Sequence, residues 1–308
     1  MANDRLLVTV PDATLRQALG PVPDDVDVVI WDMTGPAPAD QIDIVVPPYQ
    51  GQRGSLSHLA GVKTQLVQSQ FVGYDGIEDQ LPPGHVYANA SSVHETSTAE
   101  LALALVLASQ RGLPDFVRAA DDGRWAPGWR PSLADRNVLL VGFGPVGRAI
   151  EARLLPFETN VVRVAHRART DERGVIHGVD ELAELLPSAD VVVVAVSLND
   201  STVQLVDDKF LSAMPDGSLL VNISRGKVAD TDALLAHARR GRLRLALDVT
   251  EPEPLPEGHP LFKLPNVLIS PHVGGATSAM LPRMARLLNV QITRMRQGLA
   301  PLNVVLTS

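Results

Sequence analysis

The chain has 308 residues, 45% hydrophobic and 20% charged, with a formal net charge of −8 at pH 7 and no cysteine. It is long enough for two domains, its composition is that of an ordinary globular protein, and its acidic balance argues against a nucleic-acid-binding surface. The lack of cysteine excludes disulfides, thiolate metal sites and a cysteine nucleophile. No secretory signal is evident, and the longest apolar stretch, at 101–108, is too short to span a bilayer, so we expect a cytoplasmic protein without a membrane partner.

The first part of the chain, up to about Ser97, alternates apolar runs with turn-rich pieces, which predicts an α/β fold. Candidate strands lie at 6–10, 26–30, 42–46 and 65–67, and helical patterns lie at 14–19 and 56–60. A long helix is then predicted to begin at Ser97, because Ser97 and Glu100 have the spacing of a capping box. Residues 101–109 are apolar on nearly every face, so we expect this helix to be buried, as suits a crossing between domains.

A glycine-rich motif follows an apolar run at 138–141 and precedes a helical pattern. It consists of Gly142, Phe143, Gly144, Pro145, Val146 and Gly147. A strand, such a turn and a helix form a cradle for a dinucleotide pyrophosphate: Gly142 permits the tight turn, Gly144 lets the backbone approach the phosphates, and Gly147 lets helix and strand pack closely. The sequence therefore predicts that these six residues bind a dinucleotide.

The loop after the next apolar run bears on which dinucleotide is bound. An NAD site usually has an acid about 20 residues along, whose carboxylate accepts a hydrogen bond from the ribose 2′-hydroxyl. Here the corresponding residues are His166, Arg167 and Arg169, with no acid among 164–169. Since a guanidinium can hold a 2′-phosphate, we expect NADP(H) to be preferred, with Arg167 as the main contact. NAD(H) remains an alternative, because these side chains could also be solvated loop charges.

After residue 137, apolar runs alternate with helical patterns, at 138–141, 161–165, 191–196, 219–222, 245–249 and 267–269. Continuous runs of this kind indicate a doubly wound parallel sheet with helices on both faces and a ligand cleft outside the carboxyl ends of the strands. Polar residues lie at or just beyond the ends of the last three runs: Arg225, then Asp248 and Glu253, then His272. These types suit carbonyl reduction, because arginine can polarise a carbonyl or hold a carboxylate, histidine can protonate an alkoxide, and an acid can hold the imidazole.

Other interpretations of these polar residues stay open on spacing alone. Arg225 could cap a helix or pair with a surface carboxylate. Glu251 or Glu257 could be the functional acid in place of Glu253, although the position five residues beyond Asp248 favours Glu253.

Taken in order, the motifs resemble those of the D-isomer-specific 2-hydroxyacid dehydrogenases over most of the chain. They are V-G-Y-D at 72–75, T-A-E at 98–100, G-F-G-P-V-G at 142–147, N-I-S-R-G at 222–226, D-V-T-E-P-E-P at 248–254 and P-H-V-G-G at 271–275. The resemblance implies a doubly wound Rossmann domain at 98–286 and a smaller flavodoxin-like α/β substrate domain at 1–97 plus 287–308. It also implies a homodimer, with 111–129 as the dimer arm.

The resemblance assigns roles to single residues. The catalytic arginine, glutamate and acid-base histidine correspond to Arg225, Glu253 and His272. Asp248 is expected to receive the nicotinamide carboxamide, and Val72 and Gly73 to offer backbone N–H groups to the substrate carboxylate, which Arg225 also meets. The pocket that selects the substrate side chain is drawn from Pro47, Pro48, Tyr49, Gln50 and residues 72–76. No metal is expected.

The expected activity is hydride transfer between a nicotinamide cofactor and a small 2-oxo acid, such as glyoxylate or hydroxypyruvate. The missing acid among 164–169 matches the NADPH-preferring members of the family. One alternative is a cofactor-sensing binding protein that resembles the corepressors of this fold. Another is a dehydrogenase of a different small acid such as formate, which Glu253 disfavours because formate dehydrogenases of the superfamily have glutamine at that position.

Overall fold

The structure, a computed structural model, describes residues 5–49 and 51–308, without the side chains of Gln52 and Arg53. Within these residues the strands, in chain order, are β1 (Leu6–Val10), β2 (Val26–Ile30), β3 (Gln41–Val45), β4 (Lys63–Gln68), β5 (Val86–Ala88), β6 (Asn137–Val141), β7 (Asn160–Ala165), β8 (Arg169–Asp171), β9 (Gly174–Gly178), β10 (Val191–Val194), β11 (Leu219–Asn222), β12 (Arg244–Leu247), β13 (Val267–Ile269) and β14 (Val304–Thr307).

The α-helices are α1 (Ala13–Leu19), α2 (Gln52–Ser55), α3 (Glu95–Arg111), α4 (Leu113–Asp121), α5 (Pro145–Leu154), α6 (Leu182–Leu185), α7 (Asp208–Ala213), α8 (Thr231–Arg239) and α9 (Met280–Arg296). Short 3₁₀ helices lie at Leu56–Leu59, Leu155–Phe157, Val179–Glu181, Leu186–Ser188, Gly226–Val228 and Pro260–Lys263. No helix in the part of the chain that the structure describes is long and apolar enough to cross a membrane.

The chain divides into two compact units, Met1–His94 with Thr277–Ser308, and Glu95–Ala276. The sequence instead placed the two divisions at 97/98 and 286/287. The second difference arises because α9 is continuous across 286/287 and packs its buried residues, such as Met284 and Leu288, into one core with α1 and the strands of the first unit. The whole of α9 therefore belongs to the first unit.

The first unit is built on a six-stranded sheet with the order β14-β5-β4-β3-β1-β2. Strands β1 to β5 are parallel and follow the order 2-1-3-4-5, which is that of flavodoxin, whereas β14 runs antiparallel to β5. The prediction of a flavodoxin-like α/β fold is confirmed. Ligands of such sheets bind outside the carboxyl ends of the strands, where residues 69–76 follow β4.

The second unit is built on an eight-stranded sheet with the order β13-β12-β11-β10-β6-β7-β9-β8. All its pairings are parallel except that between β8 and β9, which form an antiparallel hairpin at the edge. The strand order reverses at β6, because β7 lies on one side of it and β10 on the other. This confirms the predicted doubly wound sheet and makes the carboxyl end of β6 its topological switch point.

Both faces of this sheet are buried. Along β6, Val138 and Leu140 point into one hydrophobic core, whereas Leu139 and Val141 point into the other. Successive side chains of a strand lie on opposite faces, so a strand that is covered on both sides needs an unbroken apolar run. The apolar runs of the sequence are thus explained by the helices that cover both faces of the sheet.

The long helix α3 begins earlier than the capping box predicted. It starts at Glu95, and both Ser97 and Glu100 lie within it. Ser97 is a buried residue inside the helix and therefore does not serve as its N-cap. The prediction of a largely buried helix is confirmed, because Ala102, Leu103 and several later residues belong to the core.

Candidate active site

The glycine-rich motif forms the turn between β6 and α5. Gly142 has a φ of +109°, and a Cβ at this position would collide with the carbonyl oxygen of Ala195. A Cβ at Gly147 would collide with the carbonyl oxygen of Gly142 itself. The close approach of helix, turn and neighbouring strand therefore requires glycine at both positions.

The N-terminus of α5 fits the phosphate groups of a dinucleotide. Gly144 is its N-cap and supplies no side-chain cap, Pro145 has no N–H to satisfy, and Val146 supplies the first backbone N–H of the helix. A Cβ at Gly144 would meet no atom within 4 Å, so the space in front of this backbone is open. Uncapped N–H groups, the positive end of a helix dipole and open space are the features that allow a helix N-terminus to bind an anion.

The side chain of Phe143 does not line this space, since its ring is buried in the core. Its carbonyl oxygen instead accepts a hydrogen bond from Nη2 of Arg169, at 3.3 Å. Arg169 lies in β8, and His166 and Arg167 follow the end of β7 with exposed side chains. The structure thus brings the predicted 2′-phosphate residues to the carboxyl end of β7, next to the glycine turn.

Arg225 lies in the turn after β11. The side chain of the buried Asn222 shapes this turn: its Oδ1 accepts hydrogen bonds from the N–H and the hydroxyl of Ser224, and its Nδ2 donates to the carbonyl of Arg225. A Cβ at Gly226 would collide with the carbonyl of Thr250, so the turn packs directly on the loop that leads to Glu253. This contact brings the loops of Arg225 and Glu253 together.

Glu253 and His272 form a hydrogen-bonded ion pair. The imidazole Nδ1 donates to Oε1 of Glu253 over 2.5 Å, which leaves Nε2 for another partner. The backbone of His272 has a φ of +53°, a strained conformation that its N–H stabilises by donating to the carbonyls of Asp248 and Ser270. Glu253 is therefore the acid that contacts the histidine, and the exposed Glu251 and Glu257 are not.

The charges at this site act on one another. The hydrogen bond to Glu253 raises the pKa of His272 above its ordinary value, against the opposing effects of burial and of the Arg225 charge. The same bond lowers the pKa of Glu253, and the Arg225 charge lowers it further. Arg225 is thus close enough to influence both partners, and the arrangement favours an imidazolium next to a carboxylate.

Asp248 is buried and serves as an acceptor at the end of β12. Its Oδ1 accepts from the hydroxyl of Ser270 at 2.6 Å and from the N–H of Val273 at 2.9 Å, and its Oδ2 accepts from the N–H of Gly274 at 3.0 Å. These bonds fix the segment that carries His272. Sequence reasoning assigned no role to Ser270 or Asn222; short polar residues directly after buried strands were the available signal.

The predicted substrate-binding residues of the other unit lie after β4. Val72 and Gly73 are half-buried, and the carbonyl of Val72 accepts a hydrogen bond from Nδ2 of Asn89. Nearby, the ring of Tyr49 stacks on that of Phe71, with 4.4 Å between the ring centroids. Of the remaining residues predicted for the specificity pocket, Gln50 lies outside the described residues.

Within the described ranges, 5–49 and 51–308, no group of three or more His, Asp or Glu side chains is arranged to hold a metal ion.

Comparison with known proteins identifies the family. Residues 103–274 match the model of the D-isomer specific 2-hydroxyacid dehydrogenase, NAD binding domain. The chain is 32% identical to the human glyoxylate reductase/hydroxypyruvate reductase over 272 residues, which cover 82% of this chain and 83% of the human protein.

Two crystal structures extend the similarity to the full fold. The D-isomer specific 2-hydroxyacid dehydrogenase from Xanthobacter autotrophicus Py2, in complex with NADPH and MES, has a TM-score of 0.81 and 27% identity over 98% of both chains. The NADPH-dependent glyoxylate/hydroxypyruvate reductase from Sinorhizobium meliloti, in complex with NADP and malonate, has a TM-score of 0.77 and 26% identity over 98% of this chain and 97% of that one. The chain belongs to the D-isomer specific 2-hydroxyacid dehydrogenase family and is an oxidoreductase.

Proposed function

We propose that the protein reduces small 2-oxo acids of the glyoxylate and hydroxypyruvate class to 2-hydroxy acids, as the D-isomer where C2 becomes a stereocentre, with NADPH as the preferred hydride donor. The observation that carries this proposal is the pairing of His272 with Glu253 within the field of Arg225, on loops that follow parallel strands. The names of the human relative and of the Sinorhizobium meliloti enzyme support the substrate class.

Each of the three groups has a role in this proposal. When bound, the cofactor supplies the hydride that C2 of the substrate receives. His272 gives a proton from Nε2 to the carbonyl oxygen, while Glu253 holds Nδ1 and favours the charged imidazole. Arg225 holds the substrate carboxylate and polarises the carbonyl. The resulting hydroxy acid contains the hydride on carbon and the histidine proton on oxygen.

We assign cofactor binding to the Glu95–Ala276 unit. Residues 142–147 would hold the pyrophosphate at the N-terminus of α5, and Asp248 would accept from the nicotinamide carboxamide. Arg167 and Arg169, with His166, would hold the 2′-phosphate, which is the basis for preferring NADP(H). The crystal structure of the Xanthobacter relative in complex with NADPH supports this preference.

We assign the recognition of the substrate side chain to the unit formed by Met1–His94 and Thr277–Ser308. In this assignment, the N–H groups of Val72 and Gly73 donate to the substrate carboxylate. The hydrogen bond from Asn89 supports this assignment. It holds the loop through the carbonyl of Val72 and does not use the N–H groups of Val72 and Gly73.

We also propose that the protein acts as a homodimer through residues 111–129. Trp125 and Trp129 in this segment are 95% and 101% exposed, and Leu113 and Val117 of α4 are exposed as well. Several large apolar side chains exposed on one segment of the surface favour a protein interface there. Light scattering should give twice the mass of the chain, and a W125S/W129S variant should give the monomer.

A cytoplasmic location is consistent with a chain that has no cysteine to oxidise.

A substrate panel tests the function. Glyoxylate, hydroxypyruvate, pyruvate and bulkier 2-oxo acids are each assayed with NADPH and with NADH by the loss of cofactor absorbance. We expect glyoxylate and hydroxypyruvate to give the highest kcat/KM, and we expect kcat/KM to be higher with NADPH than with NADH. Turnover of only the bulky acids would refute the substrate class. Binding of cofactor without turnover of any acid would instead indicate a cofactor-sensing protein.

A further inference from the structure

A cluster of charged side chains joins the glycine turn, α5 and the β8–β9 hairpin. At its centre is Arg163 of β7. Its Nη1 donates to both carboxylate oxygens of Asp171, at 2.9 and 3.1 Å, and its Nη2 donates to the carbonyl of Val175, at 3.1 Å. Its Nε lies 3.7 Å from Oε1 of Glu151 in α5. A single guanidinium therefore contacts both strands of the hairpin and the helix.

The hairpin has a second connection to the helix. Nη2 of Arg173, in the hairpin turn, lies 2.6 Å from Oε1 of Glu151. The backbone N–H of Arg173 also donates to Asp171, which Arg163 holds. Arg163 of β7 thus contacts both carboxylates. Arg173 contacts the same two groups, Glu151 through its guanidinium and Asp171 through its backbone N–H, so the hairpin is fixed against α5.

The central pair of this cluster is shielded from solvent. Only 4% of the Arg163 side chain and 3% of the Glu151 side chain are exposed. Burial raises the pKa of Glu151, and Arg173 and Arg163 counteract this effect. Buried charges of this kind persist only with close partners, and they hold the elements that supply those partners in one arrangement. Because Arg163 is buried, it is not itself available to a bound phosphate.

The cluster is linked to the glycine turn through Phe143. The guanidinium of Arg163 lies over the Phe143 ring, 5.3 Å from its centroid. Arg169 and Asp171 are two residues apart in β8, so their side chains lie on the same face of the strand. Asp171 is held by Arg163, and Arg169 donates to the Phe143 carbonyl. The hairpin is therefore tied to the turn at two points along one strand face.

We propose that Arg163, with Glu151 and Asp171, is a positioning residue that sets the selectivity for NADPH over NADH. It fixes the hairpin so that Arg169 is held beside the glycine turn, where the N–H donors of Arg169 that do not bind Phe143 can meet a 2′-phosphate. An arginine has five N–H donors, and the bond to Phe143 uses one of them. This inference rests on the proposed preference for NADP(H).

The test measures ligand binding and needs no turnover. The probes are adenosine 2′,5′-bisphosphate and adenosine 5′-monophosphate, which differ at the 2′-phosphate, and calorimetry gives both dissociation constants. The variants are D171N and the double variant R163M/E151L, which removes both buried charges together and so leaves neither unpaired. The matched control is R136M, which breaks the ion pair of Arg136 with Asp190 at the opposite end of the sheet.

For the wild type, we expect tighter binding of the bisphosphate. In D171N and R163M/E151L, this preference should fall by about tenfold, the order expected when a hydrogen bond to a charged group is weakened. Binding of the monophosphate should change by less than about twofold, and R136M should retain the wild-type ratio. If the double variant does not fold, as judged by circular dichroism, D171N alone decides.

The remaining outcomes overturn the proposal. An unchanged ratio in the folded variants would show that the cluster does not set selectivity, while the preference of the wild type for NADP(H) would stand. Equal weakening of both probes would show a general structural role. If the wild type itself did not distinguish the probes, the proposed cofactor preference would fail, and this inference with it.

Discussion

Two ion pairs in the Glu95–Ala276 unit differ in their surroundings. The pair of His272 with Glu253 is open, with 45% and 40% of the side chains exposed, and one imidazole nitrogen has no part in the bond. The pair of Arg163 with Glu151 is buried and further held by Asp171 and other partners. An open pair that includes a histidine can change its protonation state near neutral pH, whereas an arginine in a buried cluster cannot.

The difference separates chemistry from positioning. We expect the open pair to move a proton and the buried pair to keep its charges in every step of the reaction. Variants of the open pair should therefore change turnover and its pH dependence. Variants of the buried pair should change which cofactor binds, as argued above for Arg163.

The largest expected effect is that of H272A. Without the imidazole, no side chain at this position can protonate the substrate oxygen, so kcat for glyoxylate reduction should fall by about 10²- to 10⁴-fold. The dissociation constant of NADPH, measured by fluorescence, should change by less than about twofold. The control is H58A, which alters an exposed histidine of the other unit. Retention of most of kcat in H272A would break the comparison, because the open pair would then not supply the proton.

A smaller loss is expected for R225Q. Glutamine cannot form the paired, charge-assisted bonds of a guanidinium with a carboxylate, so kcat/KM for glyoxylate should fall by about 10²-fold. R225K should recover part of this loss through its charge. The control is R240Q, at an exposed arginine after α8. An equal loss in R225Q and R240Q would indicate that general surface charge, and not the site, holds the substrate.

R167S tests the cofactor side of the comparison. Arg167 is exposed and free to meet a 2′-phosphate, so its removal should lower kcat/KM with NADPH by about tenfold. With NADH, kcat/KM should change by less than about twofold. The control is R239S, at an exposed arginine in the last turn of α8. A wild-type enzyme that prefers NADH, or an equal loss with both cofactors in R167S, would contradict the assigned role.

The sequence predicted the strands that are apolar runs well and the short strands that depend on long-range pairing poorly. The bounds of β1, β2, β11 and β13 agree with the predicted ones because each is a mainly apolar run, although β2 and β13 lie at the edges of their sheets. The β8–β9 hairpin was not predicted, since β8 is a short, fully exposed strand that owes its form to pairing with β9. Similarly, β5 and β14 are short and are defined by long-range pairing, which leaves no local period.

The candidate site shows the same difference between features that a local sequence pattern predicts and features that depend on long-range contacts. Loops that follow apolar strands could be located, so Arg225, Glu253 and His272 were found as candidates. Glu253 was already favoured as the acid by its position five residues beyond Asp248 and by the family resemblance, and the structure adds its hydrogen bond to His272. The buried cluster was missed because its partners come from β7, α5 and β8. One signal was available, namely Arg163 within an otherwise apolar run.

The E253Q variant gives the subtlest effect and the sharpest distinction between the two pairs. In the wild type, the hydrogen bond between Glu253 and Nδ1 raises the pKa of His272. Glutamine at position 253 would remove the negative charge that favours the imidazolium. Reduction needs the charged imidazole and is lost as pH rises through the pKa of His272. A lower pKa therefore moves the alkaline limit of kcat/KM for reduction to lower pH.

The reverse reaction gives a second measurement of the same group. Oxidation of the D-2-hydroxy acid needs the neutral imidazole, so activity is gained as pH rises through the pKa of His272. In E253Q, the acidic limit of oxidation should move to lower pH in parallel with the alkaline limit of reduction. E251Q and E257Q are matched controls, since these exposed acids lie in the same loop, and both limits should stay at the wild-type pH. Limits that did not move together would assign the titration to a group other than His272.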